Sequence, residues 1–481
     1  MLDRRAFLQG VAGSVAIGST GLGLLAAHPG LPWATLARRL SGRLVLPGDR
    51  GYGEIALPNN LRYAAVRPAG IAMCRNAQDV SASILWAREH GAPLVARSGG
   101  HSYAGYSTTP GLMIDVRDIN AISVNEHTGV ASVGGGARNA GLSAYFSNRN
   151  RAITHGRCPG VGVAGFVLGG GIGFNMRAHG LGCDQLVATE IVTADGMIRR
   201  LQGDDDLFWA CRGAGGGNFG INTSFAFQTF EVGPMTVFDL TWDRQPERVF
   251  ANLVSTFERA PATLGSKVTA NAPTISSEIT IHALGQFAGT PSELREMLAE
   301  TYAIATPTGT VGREPYWKAQ QALSEPGHPA YYQERSRFFD EALDHRAVAA
   351  VFDGLRRYPK TAKSAAFKLF QTGGHVNNRK PHETAFVHRH SEWLSSIELY
   401  WEKETPDRTL RDNLGWLNAF YETIVPIAKG GAYQNFIDPS LTDWKTAYHG
   451  TNLARLEAIK QHVDPTNVFT FPEAVPPTTR S

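Results

Sequence analysis

Three stretches of this chain carry residues whose types and spacing suit chemistry. Arg97-Ser98-Gly99-Gly100-His101-Ser102 follows the short apolar run Leu94-Val95-Ala96. A strand ending in two glycines leaves successive backbone N–H groups free to face an anion such as a pyrophosphate. His101 stands at the end of that loop. The second stretch is Gly156-Arg157-Cys158-Pro159-Gly160-Val161-Gly162-Val163-Ala164-Gly165, continuing to Gly169-Gly170-Gly171-Ile172-Gly173. A cysteine in so glycine-rich a loop is badly placed to pack as a small hydrophobe, so Cys158 reads as a functional thiol. The third is Ser395-Ser396-Ile397-Glu398-Leu399-Tyr400-Trp401. On a strand, Ile397, Leu399 and Trp401 share one face, and Ser396, Glu398 and Tyr400 share the other. An apolar face for a core and a Glu/Tyr face for a cavity is what an active-site strand needs. Gln371, ending the 367–371 strand, is a further polar candidate for that cavity.

The elements that must position these groups change character along the chain. Over residues 43–236, helices alternate with short strands and Gly-rich connections. Helices are expected over 79–90 and 139–150, with strands over 94–96, 112–116 and 131–136. From Pro234 onward the pattern becomes that of an α+β unit with an antiparallel sheet. There, helices are expected over 246–259, 291–305, 340–358 and 408–425, and strands over 278–284, 366–371 and 393–401. Gly215-x-Gly217-x-x-Gly220 matches a dinucleotide fingerprint but follows the helical Phe208-Trp209-Ala210-Cys211 rather than a strand. No acidic residue follows in a βαβ unit, so a Rossmann reading is rejected.

Composition narrows the class. The 481 residues carry 46 basic and 43 acidic side chains, a net charge of +3, which argues against nucleic acid as the main partner. Four cysteines without a CxxC pair support neither a disulfide scaffold nor a zinc site, and no metal is expected. At the N-terminus, Arg4-Arg5 with Phe7-Leu8 precedes a Gly-softened apolar stretch from Val11 to Ala27. This is similar to a twin-arginine export signal, expected over 1–34. The stretch is too short and glycine-rich for a stable membrane span, which leaves a secreted or periplasmic protein that meets the twin-arginine machinery.

The glycine motifs, taken in order, resemble the berberine-bridge-enzyme-like branch of FAD-linked oxidoreductases. That branch lies within the vanillyl-alcohol-oxidase superfamily with PCMH-type FAD-binding domains. The same resemblance extends to Gly180-Leu181-Gly182-Cys183-Asp184, to the run Asp206–Gly220, and to Tyr433–Phe469. It implies an α+β fold with a two-subdomain FAD-binding domain at 43–236 and a substrate domain with antiparallel sheet and helices at 237–425. A C-terminal segment at 426–481 completes the FAD domain.

The resemblance further implies FAD attached twice, at the 8α methyl through His101 and at carbon 6 through Cys158, by autocatalytic addition. It places Arg97, Ser98, Gly99, Gly100, Ser102, Val161, Gly162, Gly165 and Gly171 against the cofactor. It adds Gly173, Asp184, Asn218, Gly220, Ile221 and Asn435 to that set. Where relatives often carry a histidine, this chain has Phe166. Val161 matches a position over the oxygen-reacting side of the flavin, where a small residue accompanies oxidase activity. Glu398, Tyr433 and Tyr448 match candidate proton acceptors. The expected activity is oxidation of a hydroxylated small molecule, with O2 reduced to hydrogen peroxide. The rivals are a dehydrogenase of the same fold and a flavin-binding protein without turnover.

Overall fold

The protein is described here from a computed structural model covering residues 30–478. The Arg4-Arg5 segment and most of the expected export signal lie outside the described residues.

The first half builds two sheets. Strands β1 (Arg43–Val45), β2 (Gly70–Met73), β3 (Leu94–Arg97) and β4 (Leu112–Asp115) form one, in the order β1-β2-β4-β3. The β2, β3 and β4 strands run parallel. Both β2 and β4 are buried along their length, as parallel strands covered on both faces must be. The helix Ala77–Glu89 packs against this sheet, and its N-terminus is capped by the Asn76 side chain, which accepts from Asp79 N at 2.9 Å. Strand β3 ends at Arg97 and releases the chain directly into the glycine pair. A second, antiparallel sheet contains β5 (Ile122–Asn125), β6 (Val130–Gly134), β8 (Leu186–Val192), β9 (Ile198–Gln202) and β10 (Ile221–Gln228), ordered β5-β6-β10-β8-β9. A two-stranded ladder joins β7 (Arg151–Ala152) to β11 (Phe230–Glu231).

The remaining strands make one seven-stranded antiparallel sheet. They are β12 (Met235–Trp242), β13 (Leu264–Asn271), β14 (Thr280–Phe287), β15 (Thr308–Glu314), β16 (Tyr331–Phe339), β17 (Ser364–Gln371) and β18 (Trp393–Trp401). Their order is β15-β12-β14-β13-β17-β18-β16. One face of the sheet carries Phe367, Leu369, Ile397 and Leu399 into a core shared with the helices Pro246–Glu258, His345–Arg356 and Asp407–Ala428. The opposite face turns Lys368, Phe370 and Tyr400 toward the half built by the first two sheets.

Strands β12, β13, β15 and β16 were not among the expected elements. The single helix expected over 291–305 is two, Pro291–Met297 and Ala299–Ile304, because Leu298 leaves helical geometry at φ −93°, ψ 7°. The last long helix runs through Pro426 to Ala428 rather than stopping before the proline. The buried Lys460 ties down the C-terminal segment, donating to Asn218 O, Phe469 O and Asp464 Oδ2 at 2.6, 2.6 and 2.8 Å.

Candidate active site

A cavity of about 360 Å³ lies between the two halves. The loop after β3 contributes Arg97 to Ser102. The second glycine loop contributes Cys158, Val161, Gly162, Gly165 and Gly173. Gly220 and Ile221 enter from the start of β10, and Tyr433 and Asn435 from the C-terminal segment. Phe469, Thr470 and Phe471 add to the lining. From the seven-stranded sheet come Ser266, Glu334, Lys368, Gln371 and Tyr400.

The two glycine loops touch through their backbones. A Cβ on Gly99 would stand 2.3 Å from Gly162 N, so neither loop could approach the other with a side chain there. Gly100 adopts φ +74°, which favours glycine. Arg97 is buried and spends its Nε and Nη1 on the carbonyls of Ser107, Ile55, Ala56 and Leu57. Its Nη2 has no partner among the described residues; the same holds for Ser107 Oγ and Gln434 Oε1, and all three residues line the cavity. Buried polar atoms are almost always hydrogen-bonded, so this wall is made for a polar ligand.

His101 and Cys158 meet at another edge. The point that a Gly327 Cβ would occupy is 3.2 Å from Cys158 Sγ and 3.6 Å from His101 Cε1. Burial, with Arg138 nearby, lowers the His101 pKa to about 4, so the imidazole is neutral at pH 7 and keeps a free lone pair. Burial and Glu325 push the Cys158 thiol up to about 11, against the charges of Arg157, Lys368 and Lys267.

A charged cluster faces this edge. Lys368 Nζ donates to Glu398 Oε2 at 2.5 Å and lies 3.0 Å from Glu334 Oε1. Burial alone would lower the Lys368 pKa, but Glu334 and Glu398 outweigh it and the group stays an ammonium. Burial raises the Glu334 carboxyl even with Lys368 beside it. Aromatic rings continue the wall. Tyr103 stacks on Phe436 at 4.9 Å between centroids, and Tyr332 stacks on Tyr400 at 5.3 Å.

Several expected site residues stand elsewhere. Tyr448 does not line the cavity; it is buried in the core behind the sheet, where its phenol accepts from Asp438 N at 2.9 Å. Asp184 is a structural clamp, accepting from Arg389 Nη1 and Nη2 at 2.9 and 2.8 Å. Asn218 holds the tail, its Oδ1 accepting from Val475 N at 2.9 Å. Gly171 lies behind the lining, where its amide donates to Tyr433 Oη at 3.1 Å. Glu398 is not among the lining residues; it bonds the lining Lys368, accepting from its Nζ at 2.5 Å. Tyr433 does line the cavity, but its oxygen is already held by Gly171 N, Ile172 N and Asn435 Nδ2. Burial outweighs those donors and raises its pKa to about 12. Lys368 and Glu334 are among the cavity groups that sequence reasoning missed.

Comparison with known proteins decides the family. An FAD binding domain model matches residues 68–202, and a "Berberine and berberine like" model matches 432–476. The FAD-linked oxidoreductase YgaK of Bacillus subtilis is 31% identical over 454 residues, spanning 92% of this chain and 98% of that protein. The chain belongs to the berberine-bridge-enzyme-like FAD-linked oxidoreductases. The carbohydrate oxidase of Microdochium nivale is 30% identical over 470 residues, covering 90% of this chain and 92% of its own. Its solved structure with a substrate analogue superposes with a TM-score of 0.82 at 26% identity, covering 94% of this chain and all of that one. The berberine-bridge-like protein 1 of Physcomitrella patens gives 0.82 at 27% identity, covering 93% and 99%.

FAD fits this berberine-bridge-like cavity on its own features. Touching glycine backbones and three buried polar atoms without partners suit a large polar cofactor. Both segments matched by the family models line it, so neither builds the site alone.

Proposed function

We propose that this chain is an exported oxidase carrying FAD on His101 and Cys158, which oxidises a hydroxylated small molecule and reduces dioxygen to hydrogen peroxide. A sugar or glycoside is the favoured class of substrate, because relatives across most of the chain are named carbohydrate and glucooligosaccharide oxidases. The observation that carries the reading is the cavity itself, with His101 and Cys158 at one edge and the Glu334–Lys368–Glu398 cluster facing them. Export rests on Arg4-Arg5 and the apolar stretch behind them. Among the described residues, no helix is long and apolar enough to cross a membrane.

When bound, FAD supplies the hydride acceptor and the reactivity toward oxygen. The chain supplies the rest. Neutral His101 offers a lone pair for attachment. The stacked rings of Tyr103 and Phe436 offer a flat wall for the substrate. A hydroxyl that loses hydride from its carbon must also lose its O–H proton. Glu334, raised by burial and lining the cavity, and Glu398, joined to it through Lys368, are the pair assigned to take that proton. Tyr433, a phenol at neutral pH with three donors on its oxygen, is assigned a positioning role.

The test is a panel of sugars, glycosides and hydroxylated aromatics followed by oxygen uptake and peroxide release, with anaerobic flavin reduction measured in parallel. Removing a positioned base slows reduction by ~10²–10⁴-fold. Glu334→Gln and Glu398→Gln should lie in that range while retaining flavin, and Tyr433→Phe should not. Turnover with an artificial acceptor but none with oxygen would reassign the protein as a dehydrogenase.

A further inference from the structure

The segment Leu323–Ala330, between the helix Tyr316–Ala322 and β16, runs along the edge where His101 and Cys158 meet. Gly327 is its inner contact. It adopts φ +61°, and a Cβ there would stand 2.9 Å from Cys158 Cβ and 3.2 Å from Sγ. The Cys158 Cβ is fixed to the backbone and cannot swing aside as a long side chain would. Arg157 and Asn59 of the FAD half hold the strap beside the tethers, and Leu61 N adds a bond to Ala330 O at 2.8 Å at its far end. Arg157, next to Cys158, donates from Nε to Leu323 O at 2.9 Å and from Nη1 to Glu325 Oε2 at 3.0 Å. Its carbonyl accepts from Ser324 Oγ at 3.1 Å and Glu325 N at 3.3 Å. Asn59 donates from Nδ2 to Gly327 O at 2.8 Å and from its amide to Gly100 O at 3.0 Å, one residue before His101. Its carbonyl accepts from Ala330 N at 3.0 Å.

We propose that this strap sets the Cys158 sulfur for attachment, with Gly327 and Asn59 as positioning residues. The second tether then closes only after the substrate half has docked on the FAD half. The inference rests on the two-tether reading above. The step forms an Sγ–C6 bond in place of the thiol S–H and the ring C6–H. The two protons and two electrons released go to dioxygen, giving hydrogen peroxide. A Gly327 Cβ would meet His101 Cε1 at 3.6 Å, an ordinary contact, but Cys158 Cβ at 2.9 Å, so the strap bears on the cysteine link and the two attachments separate.

The holoprotein and the variants Gly327→Ala, Gly327→Asn and Asn59→Ala are digested, and flavin mass is read separately on the His101 and Cys158 peptides. Thiols are titrated in the unfolded protein. All four cysteines are free in the chain, so a fully tethered wild type titrates one thiol fewer than a protein lacking the cysteine link. A misplacement of ~1 Å can cost ~10²-fold in rate, so the Cys158 link should fall at least ~10-fold in both Gly327 variants, with the His101 link kept. Asn tolerates left-handed backbone but carries the same Cβ, so equal loss in both variants puts the effect on the contact. Asn59→Ala adds no atom, and should lower the Cys158 link even if the Gly327 variants fail to fold.

Intact Cys158 attachment in Gly327→Ala would overturn the proposal. So would normal attachment in Gly327→Asn alone, or equal loss of both links. A wild type without any Cys158 link would instead overturn the two-tether reading, and the strap's role with it.

Discussion

Replacing Lys368 by Met keeps the length of the side chain and removes its charge, leaving Glu334 and Glu398 to face each other. The ammonium is 3.0 Å from one carboxylate and 2.5 Å from the other, and the side chains of Lys368 and Glu334 are 7% and 1% exposed. At an effective dielectric of ~20, each contact at that range is worth ~5–7 kcal/mol of Coulomb attraction. Much of that is offset by desolvation, and breaking a buried pair typically destabilises by ~3–5 kcal/mol. The variant should lose about that much at pH 8. The sign with pH follows from the carboxyls. Burial already raises Glu334, and Lys368 is the neighbour that pulls it down, so removing Lys368 raises it further above its unfolded value. Stability from a raised group is present below the unfolded value, ~4.3 for Glu, and is lost as pH rises through the folded one. The deficit against wild type should therefore grow from pH 5 to pH 8. Urea unfolding of both proteins at each pH measures it, and adding Glu334→Gln to the variant should recover more than half. A deficit that is flat with pH, or below ~1 kcal/mol throughout, would refute the argument.

Three further outcomes are expected. Acid-precipitated, washed wild type keeps its flavin; His101→Ala and Cys158→Ala each keep one link and the double variant none, as read by fluorescence and mass. Val161 lines the cavity, and its amide donates to Cys158 O at 3.2 Å. Packed interiors leave few voids larger than a water, so Val161→Leu should leave anaerobic reduction nearly intact while slowing reoxidation by oxygen by orders of magnitude in stopped flow. Changing Arg4 and Arg5 to Lys should hold the precursor inside the cell, which fractionation and blotting would show.

The glycine loops were legible because a backbone that must touch another backbone or a ligand requires glycine at contiguous positions. Gly99 and Gly162 do this, and the motifs around them delivered His101 and Cys158 to one edge. The two faces of β18 were legible from alternation alone. Strand β16 was not. Tyr331-Tyr332-Gln333-Glu334-Arg335-Ser336-Arg337 reads as a solvated segment, yet it is buried after its first residue. On this strand, Tyr332 and Glu334 line the cavity. Its odd positions are held behind the sheet, Arg335 by Asp438 at 2.7 Å and Arg337 by Tyr421 at 2.6 Å. A charged strand with partners on both sides looks hydrophilic in one dimension. Asp184 and Asn218 misled for a related reason. Their motifs are local, but the groups they hold, Arg389 and Val475, are more than 200 positions away. No local spacing distinguishes a clamp from a ligand contact.

The buried Lys460 has a bearing on biosynthesis. Its hydrogen bonds join the carbonyl of Phe469 to that of Asn218, and Phe469, Thr470 and Phe471 form a wall of the cavity. Chains emerge and fold from the N-terminus during synthesis, so the loops bearing His101 and Cys158 are made well before this wall. Until residues 469–471 follow, the cofactor pocket lacks part of its lining. Stable capture of FAD thereby waits on the C-terminal segment, and a chain cut before Phe469 should be left colourless.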